Sequence, residues 1–159
     1  MSEKLWKPLG AKNTALWSLD QNEGVEKAYC CFNSNAPDFA RIGKLYLDSG
    51  KWHGRQIVNT EYVLNSVKPA DLVYENDGNT NTQYGYAWWL IPDYKPAGQA
   101  GKGHYIFYAR GILGQYIVCI PDKKMVIVRL GQKREKSREN LPPLDLFYYL
   151  DAALEMYGD

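Results

Sequence analysis

The run Phe107-Tyr108-Ala109-Arg110-Gly111-Ile112-Leu113-Gly114-Gln115-Tyr116 sets a tight glycine-bounded turn between two segments that read as adjacent β-strands. Its neighbours have the same character. Strand-like segments run from Tyr84 to Ile91, Gly103 to Arg110, Gln115 to Ile120 and Lys124 to Leu130, and Pro121-Asp122-Lys123-Lys124 is a turn between the last two. An antiparallel meander is predicted.

Helical patterns lie on either side of these strands. Ser34 or Asn35 caps a helix whose first turn holds Pro37 and Asp38, whose apolar face is Phe39, Ile42, Leu45 and Tyr46, and which stops at Gly50. Gly43 within it marks the close approach of another backbone, since an exposed glycine there would cost ~1 kcal/mol relative to alanine. Asn59 or Thr60 caps a shorter helix ending near Val67 before Pro69. The polar segment 70–83 reads as a loop long enough to wall a binding site. A last helix begins near Pro142 and Pro143, with Phe147, Leu150, Leu154 and Tyr157 on one face. Near the start, Leu5 to Gly10 ends a helix-like turn at a proline-glycine break, and Lys27 to Phe32 reads as a short buried strand. Helices packed on an antiparallel sheet make an α+β fold, a single domain over residues 1–159, which at this length can bury roughly 68–70% of its unfolded surface.

Charge narrows the partners. Nineteen basic against eighteen acidic side chains, with no long run of either sign, do not suggest a nucleic-acid or membrane surface, and the mixed cluster from Lys133 to Glu139 reads as a solvated loop. The chain opens on no charged-then-apolar leader and has no membrane-length apolar run, so a soluble chain is expected. Cys30, Cys31 and Cys119 fit neither a disulfide framework nor a zinc spacing, and buried free thiols are the expectation. No metal or cofactor is expected either, since no acidic residue stands at ligand spacing from His53 or His104.

Nucleophile signatures are missing from these residues. None of Ser2, Ser18, Ser34, Ser49, Ser66 or Ser137 is followed three residues later by lysine, and no G-x-S-x-G elbow occurs. What remains is the glycine turn. Gly111 lacks a Cβ, so a substrate backbone has room to lie on the strand, and the N–H of Ile112 can point at a developing oxyanion. Gly111 and Gly114 also fit the simpler role of shaping a hairpin.

Several segments, taken in order, carry a resemblance. Trp6 to Gly10, Phe39-Ala40-Arg41-Ile42-Gly43, Gly54 to Val58, Tyr84-Gly85-Tyr86-Ala87-Trp88-Trp89 and Ala109-Arg110-Gly111-Ile112 together resemble the C-terminal part of the serine hydrolases that include class C β-lactamases, related penicillin-binding proteins, esterases and nylon-oligomer (aminohexanoate-dimer) hydrolases. The resemblance implies a partial β-lactamase/transpeptidase-like fold lacking its N-terminal portion. It places Ala109 to Ile112 at the family's K-[ST]-G-x position and makes the Ile112 N–H one of two oxyanion donors. The other would come from the serine of an absent S-x-x-K motif. Tyr74-Glu75-Asn76 matches the family's Y-x-N pattern, but it falls in the wrong order and is read as a chance match.

The departures bear on substrate. Ala109 stands where the β-lactamases have a lysine, and Arg110 where serine or threonine is usual, so an ester, amide or peptide-like bond is favoured over a β-lactam. The Arg110 guanidinium either pairs with a carboxylate or turns to the back of the sheet. Tyr108, Tyr86, Trp88 and His104 complete the candidate substrate wall, although strand alternation also fits Tyr84, Tyr86 and Trp88 to an aromatic core and His104 to a strand end.

The expected function is therefore the C-terminal part of a serine hydrolase, inactive alone, whose small-molecule or peptide-like substrate is met only in the complete protein. Any export signal would lie in the missing N-terminal portion. A non-enzymatic module with an aromatic-lined cleft for a sugar or peptide is the alternative, favoured by five tryptophans and thirteen tyrosines. Complementation by a separate serine-bearing polypeptide is a third reading. In the strand Lys124 to Leu130 the run Met125-Val126-Ile127-Val128 is apolar on both faces, and the resemblance makes this strand an edge, so self-pairing into a homodimer, or else aggregation, is expected there.

Overall fold

The computed structural model describes residues 2–27, 29–73, 78–136 and 142–157. After one π-type turn at Ser2–Trp6, the short strands β1 (Leu16–Trp17) and β2 (Phe32–Asn33) pair antiparallel. Helix α1 (Ala36–Leu47), the hairpin β3 (Lys51–Trp52) and β4 (Arg55–Gln56), and helix α2 (Thr60–Ser66) come next in the chain. Four strands then form one antiparallel sheet in chain order: β5 (Trp89–Tyr94), β6 (His104–Arg110), β7 (Tyr116–Ile120) and β8 (Met125–Arg129). Helix α3 (Leu144–Tyr157) closes the described chain. The α+β meander is thus as expected, and among the described residues no helix is long and apolar enough to cross a membrane.

The sheet is covered on both faces because its residues alternate. Ile106, Tyr108, Tyr116, Val118 and Ile120 pack against Leu146, Leu150 and Leu154 of α3. On the opposite face, Leu90, Phe107 and Cys119 pack with Trp88, and Tyr46 and Leu47 of α1 close over them. Each fully buried leucine of α3 contributes roughly 1.5–3 kcal/mol, which holds this helix to the sheet. Tyr157 is left exposed, and Leu146 takes the place foreseen for it on the apolar face.

Three local features seat α1 against its neighbours. Asn35 caps the helix by accepting the Asp38 N–H at 2.9 Å. The Asp38 carboxylate, 1% exposed, accepts the Lys12 and Asn13 N–H groups at 3.0 and 2.9 Å, the side-chain amides of Asn13 and Asn35 at 3.2 and 2.9 Å, and Arg41 Nε at 3.2 Å. It therefore does more than complement a helix dipole, because it ties residues 12 and 13 to α1. Gly43 lets α1 approach the sheet, but what it meets are side chains and not the expected backbone: an added Cβ would lie 2.6 Å from Val126 Cγ1 and 3.1 Å from Cys119 Sγ.

Two other expectations are corrected. The segment Tyr84–Trp88 is not strand: Tyr84 bridges Trp89, the Gly85 N–H donates to the Trp88 carbonyl at 2.8 Å, and Ala87 takes a φ of 63°, so the chain reverses there and β5 starts only at Trp89. Cys30 and Cys31 are neither buried thiols nor on a strand; they are bonded to each other in a turn before β2, with Cys31 exposed, while Cys119 is the buried free thiol expected. The Tyr74-Glu75-Asn76 match and positions 137–139 of the charged cluster lie outside the described residues.

Candidate functional site

Strand β6 is paired along one side by β7 as far as Arg110, which faces Tyr116. On its other side β5 reaches only to Tyr108, opposite Trp89, because the chain turns away through Gly85–Trp88. Ala109 and Arg110 therefore lie beyond the end of β5. Backbone polar groups alternate sides along a strand, and the Gly111 N–H points toward β7, where it donates to the Gln115 carbonyl at 2.7 Å. Those of Arg110 thus point to the unpaired side, and continuing the alternation turns the Ile112 N–H the same way. Ile112 is 83% exposed, and its N–H has no hydrogen-bond partner among the described residues.

The turn is braced from behind. Gly114 adopts φ 82°, and its carbonyl accepts from Arg129 Nη1. Arg129 also donates to the Lys133 carbonyl at 2.8 Å and to Tyr149 Oη at 2.9 Å, while Arg134 Nε donates to the Ile112 carbonyl at 3.0 Å. Gln115 links the Leu113 N–H to the Gly131 carbonyl. The Ile112 N–H shares its planar peptide with the Gly111 carbonyl, which accepts the Gly114 N–H at 3.3 Å, and that bond fixes its direction as an oxyanion donor needs. The need for glycine at 111 has a different cause from the one expected. A Cβ there would meet Gln115 Oε1 at 2.7 Å, so the space is taken by the chain itself and is not open to a ligand.

The other candidate residues divide clearly. Ala109 packs partly buried with the α1-side cluster, and Tyr86 is 49% exposed, its ring tilted against that of Tyr62 of α2 at 6.0 Å. Arg110 lies over the Trp89 ring at 4.5 Å, on the α3 side with Tyr108, so its guanidinium is turned to the back of the sheet. Burial pushes the Tyr108 phenol up to about 12, with Arg110 pulling the other way. Tyr108 and Trp88 do not line a cleft. At 2% and 5% exposure they are core side chains, Trp88 packed between Tyr46 and Phe107 at ring distances of 4.7 and 5.1 Å.

His104 is not near the turn. It begins β6, six residues before Arg110 and so about 20 Å away. There its Nδ1 pairs with Asp122 Oδ2 at 2.6 Å, fastening β6 to the 3-10 turn Pro121–Lys123. A substrate bound at Ile112 is out of its reach. The described part of the loop 70–83 is fixed by buried Asn81, whose amide donates to the Ala70 and Tyr84 carbonyls at 2.9 and 2.6 Å. No group of His, Cys, Asp and Glu among the described residues is arranged to hold a metal.

No family model matches the chain, and neither does any curated protein. Among solved structures it is similar to a protein of Bacillus anthracis provisionally named as a 6-aminohexanoate-dimer hydrolase, with 27% identity and a TM-score of 0.71. The similarity covers 98% of this chain and 37% of that one, so this chain spans little more than a third of the relative's length. In fold and, more coarsely, in sequence, the chain is thus similar to part of a β-lactamase-like hydrolase.

Proposed function

We propose that this chain forms the C-terminal part of a β-lactamase-like serine hydrolase that acts on an ester, amide or peptide-like bond. The observation that supports this reading most is the N–H of exposed Ile112, without a hydrogen-bond partner among the described residues and just past the part of β6 that β5 pairs, in a chain that aligns almost throughout with part of a hydrolase. In this reading Ile112 donates to the oxyanion, Gly111 keeps the turn tight against Gln115, and the backbone of Ala109 and Arg110 and the side chain of Tyr86 border the substrate. The turned-back Arg110 and the small Ala109 put no cation at the position where the family's β-lactamases carry one, which favours a substrate without a carboxylate there.

The serine and its base are supplied from outside these residues, so the chain alone is expected to be inactive. A hydroxyl with no neighbouring base stays a poor nucleophile at its free pKa. Incubated with a fluorophosphonate probe, the purified chain should remain unlabelled, and it should not turn over a p-nitrophenyl ester or a chromogenic cephalosporin. Stoichiometric labelling of any serine would overturn this.

The same reading bears on association. Among the described residues strand β8 pairs with β7 only, and its five residues are all half-buried, with Met125 and Ile127 toward α3 and Val126 toward α1. An edge with apolar side chains on both faces and unpaired backbone groups is a template for another strand. At micromolar concentration the chain is expected to form a dimer across β8, and Val126→Lys to shift it to monomer. A stable wild-type monomer in sedimentation equilibrium would show that the edge is covered.

A further inference from the structure

Away from the proposed site, the adjacent pair Cys30–Cys31 sits where the N-terminal segment is fastened to the rest of the chain. The carbonyls of Lys27, Cys30 and Cys31 are all used. The Trp17 indole of β1 donates to the carbonyls of Lys27 and Cys30 at 2.9 and 3.0 Å, and the Lys27 carbonyl also accepts the Cys30 N–H at 3.0 Å. The Cys31 carbonyl accepts the Ser18 N–H and the Asn33 side-chain amide, both at 3.1 Å. One residue on, Phe32 packs edge-to-face on Trp6, Trp17 and Phe39 at 5.0 to 6.0 Å, joining β1, β2 and α1. Cys31 itself takes a left-handed φ of 68°, a conformation uncommon for a residue with a Cβ. It is also exposed, and Tyr29 beside the pair is 84% exposed.

We propose that Cys30–Cys31 is a thiol–disulfide exchange site for dithiols, and that its redox state sets whether β1 stays docked on the 27–33 turn. Because the two cysteines are chain neighbours, the bond closes a ring that contains only their shared peptide. It therefore acts on local backbone shape, unlike a bond that closes a long loop. A thiolate of the incoming dithiol attacks exposed Cys31 Sγ, forms a mixed disulfide and displaces the Cys30 thiolate. The second thiol of the reagent then attacks its own sulfur in that mixed disulfide and releases the Cys31 thiolate. Two electrons pass from the dithiol to the protein, the dithiol leaves as a cyclic disulfide, and the two protons it gives up end on Cys30 and Cys31. Freed of the bond, Cys31 leaves its left-handed conformation. The carbonyl that holds Ser18 turns with it, and the Trp17 indole loses one of its two acceptors. Cys119, buried in the core, takes no part.

The test equilibrates the chain in glutathione buffers running from fully oxidised to fully reduced, and separately in dithiothreitol. Iodoacetamide trapping is then read on the tryptic peptide 28–41, alongside hydrogen exchange of the native chain. The pair is expected to pass reversibly from no label to two labels. The Ser18 amide should exchange at least about tenfold faster in the reduced form while the amides of β6 and β7 stay unchanged. A Cys30→Ser/Cys31→Ser variant should exchange like the reduced form under all conditions. Two free thiols at every glutathione ratio would overturn the proposal, as would a pair that dithiothreitol cannot reduce in the native chain. So would a reduced chain, or a double variant, whose Ser18 exchange equals that of the oxidised chain.

Discussion

Joined to a polypeptide that supplies the serine-bearing portion, an Ile112→Pro variant is expected to turn over ester or amide substrate ~10²–10³ times more slowly, the usual cost of losing one oxyanion donor. Proline removes the N–H and leaves the Arg134 bond to the residue 112 carbonyl in place. The exposed Ile112 side chain contributes little to folding, so Ile112→Ala, which keeps the N–H, should stay near the wild-type rate. The loss should appear mainly in kcat, since an oxyanion forms in the transition state and not in bound substrate. Circular dichroism spectra of the two variants must agree for the comparison to count. A normally folded Ile112→Pro enzyme with full kcat would remove this N–H from the mechanism.

What the sequence disclosed about this site was its backbone. Glycines bounding a turn between two period-2 segments locate β6, β7 and the residues between them to within a residue, and the position of His104 at the far end of β6 follows from the strand itself. What holds the turn was not legible. Arg129 and Arg134 reach it from 15 and 22 positions away, and nothing in local pattern distinguishes them from solvated basic residues. The reversal at Gly85–Trp88, which ends the pairing of β5 with β6 at Tyr108, has a similar origin. The aromatic alternation there satisfies a strand, yet Gly85 backs onto α2 so closely that a Cβ would lie 2.1 Å from the Ser66 carbonyl oxygen, and Tyr86 donates its N–H to the same oxygen at 2.9 Å. Tertiary packing overrode local propensity at the residues that expose the candidate site. The cysteine pair misled for a related reason, since two adjacent small hydrophobes fit a strand as well as they fit a bonded turn.

Asp38→Ala is expected to cost about 3–5 kcal/mol at neutral pH, the range seen when one member of a buried, hydrogen-bonded charge pair is removed. Against a total of about 5–15 kcal/mol for an ordinary domain, that is enough to leave the variant barely folded. The deletion strands four amide donors, from the Lys12 and Asn13 backbone and the Asn13 and Asn35 side chains, and leaves Arg41 with its bond to the Leu9 carbonyl at 3.1 Å and its place over the Trp52 ring. Asp38→Asn should recover little, because its amide offers one acceptor where two are used and turns two further donors on the same cluster. Burial is the largest single influence on the carboxyl and would raise its pKa. The hydrogen bonds from Lys12, Asn35 and Asn13 together outweigh it and hold the group below the usual carboxylate range. A carboxyl depressed on folding stabilises the native state above its unfolded pKa, and that stability is lost as pH falls toward the folded value. The gap between wild type and Asp38→Ala in urea melts should therefore be constant from neutral pH down to about pH 4. Below that it should narrow by about 1.4 kcal/mol per pH unit. A gap that stays the same well below pH 4 would mean the charge of Asp38 is not what fastens residues 12 and 13 to α1, and that its worth lies in packing alone.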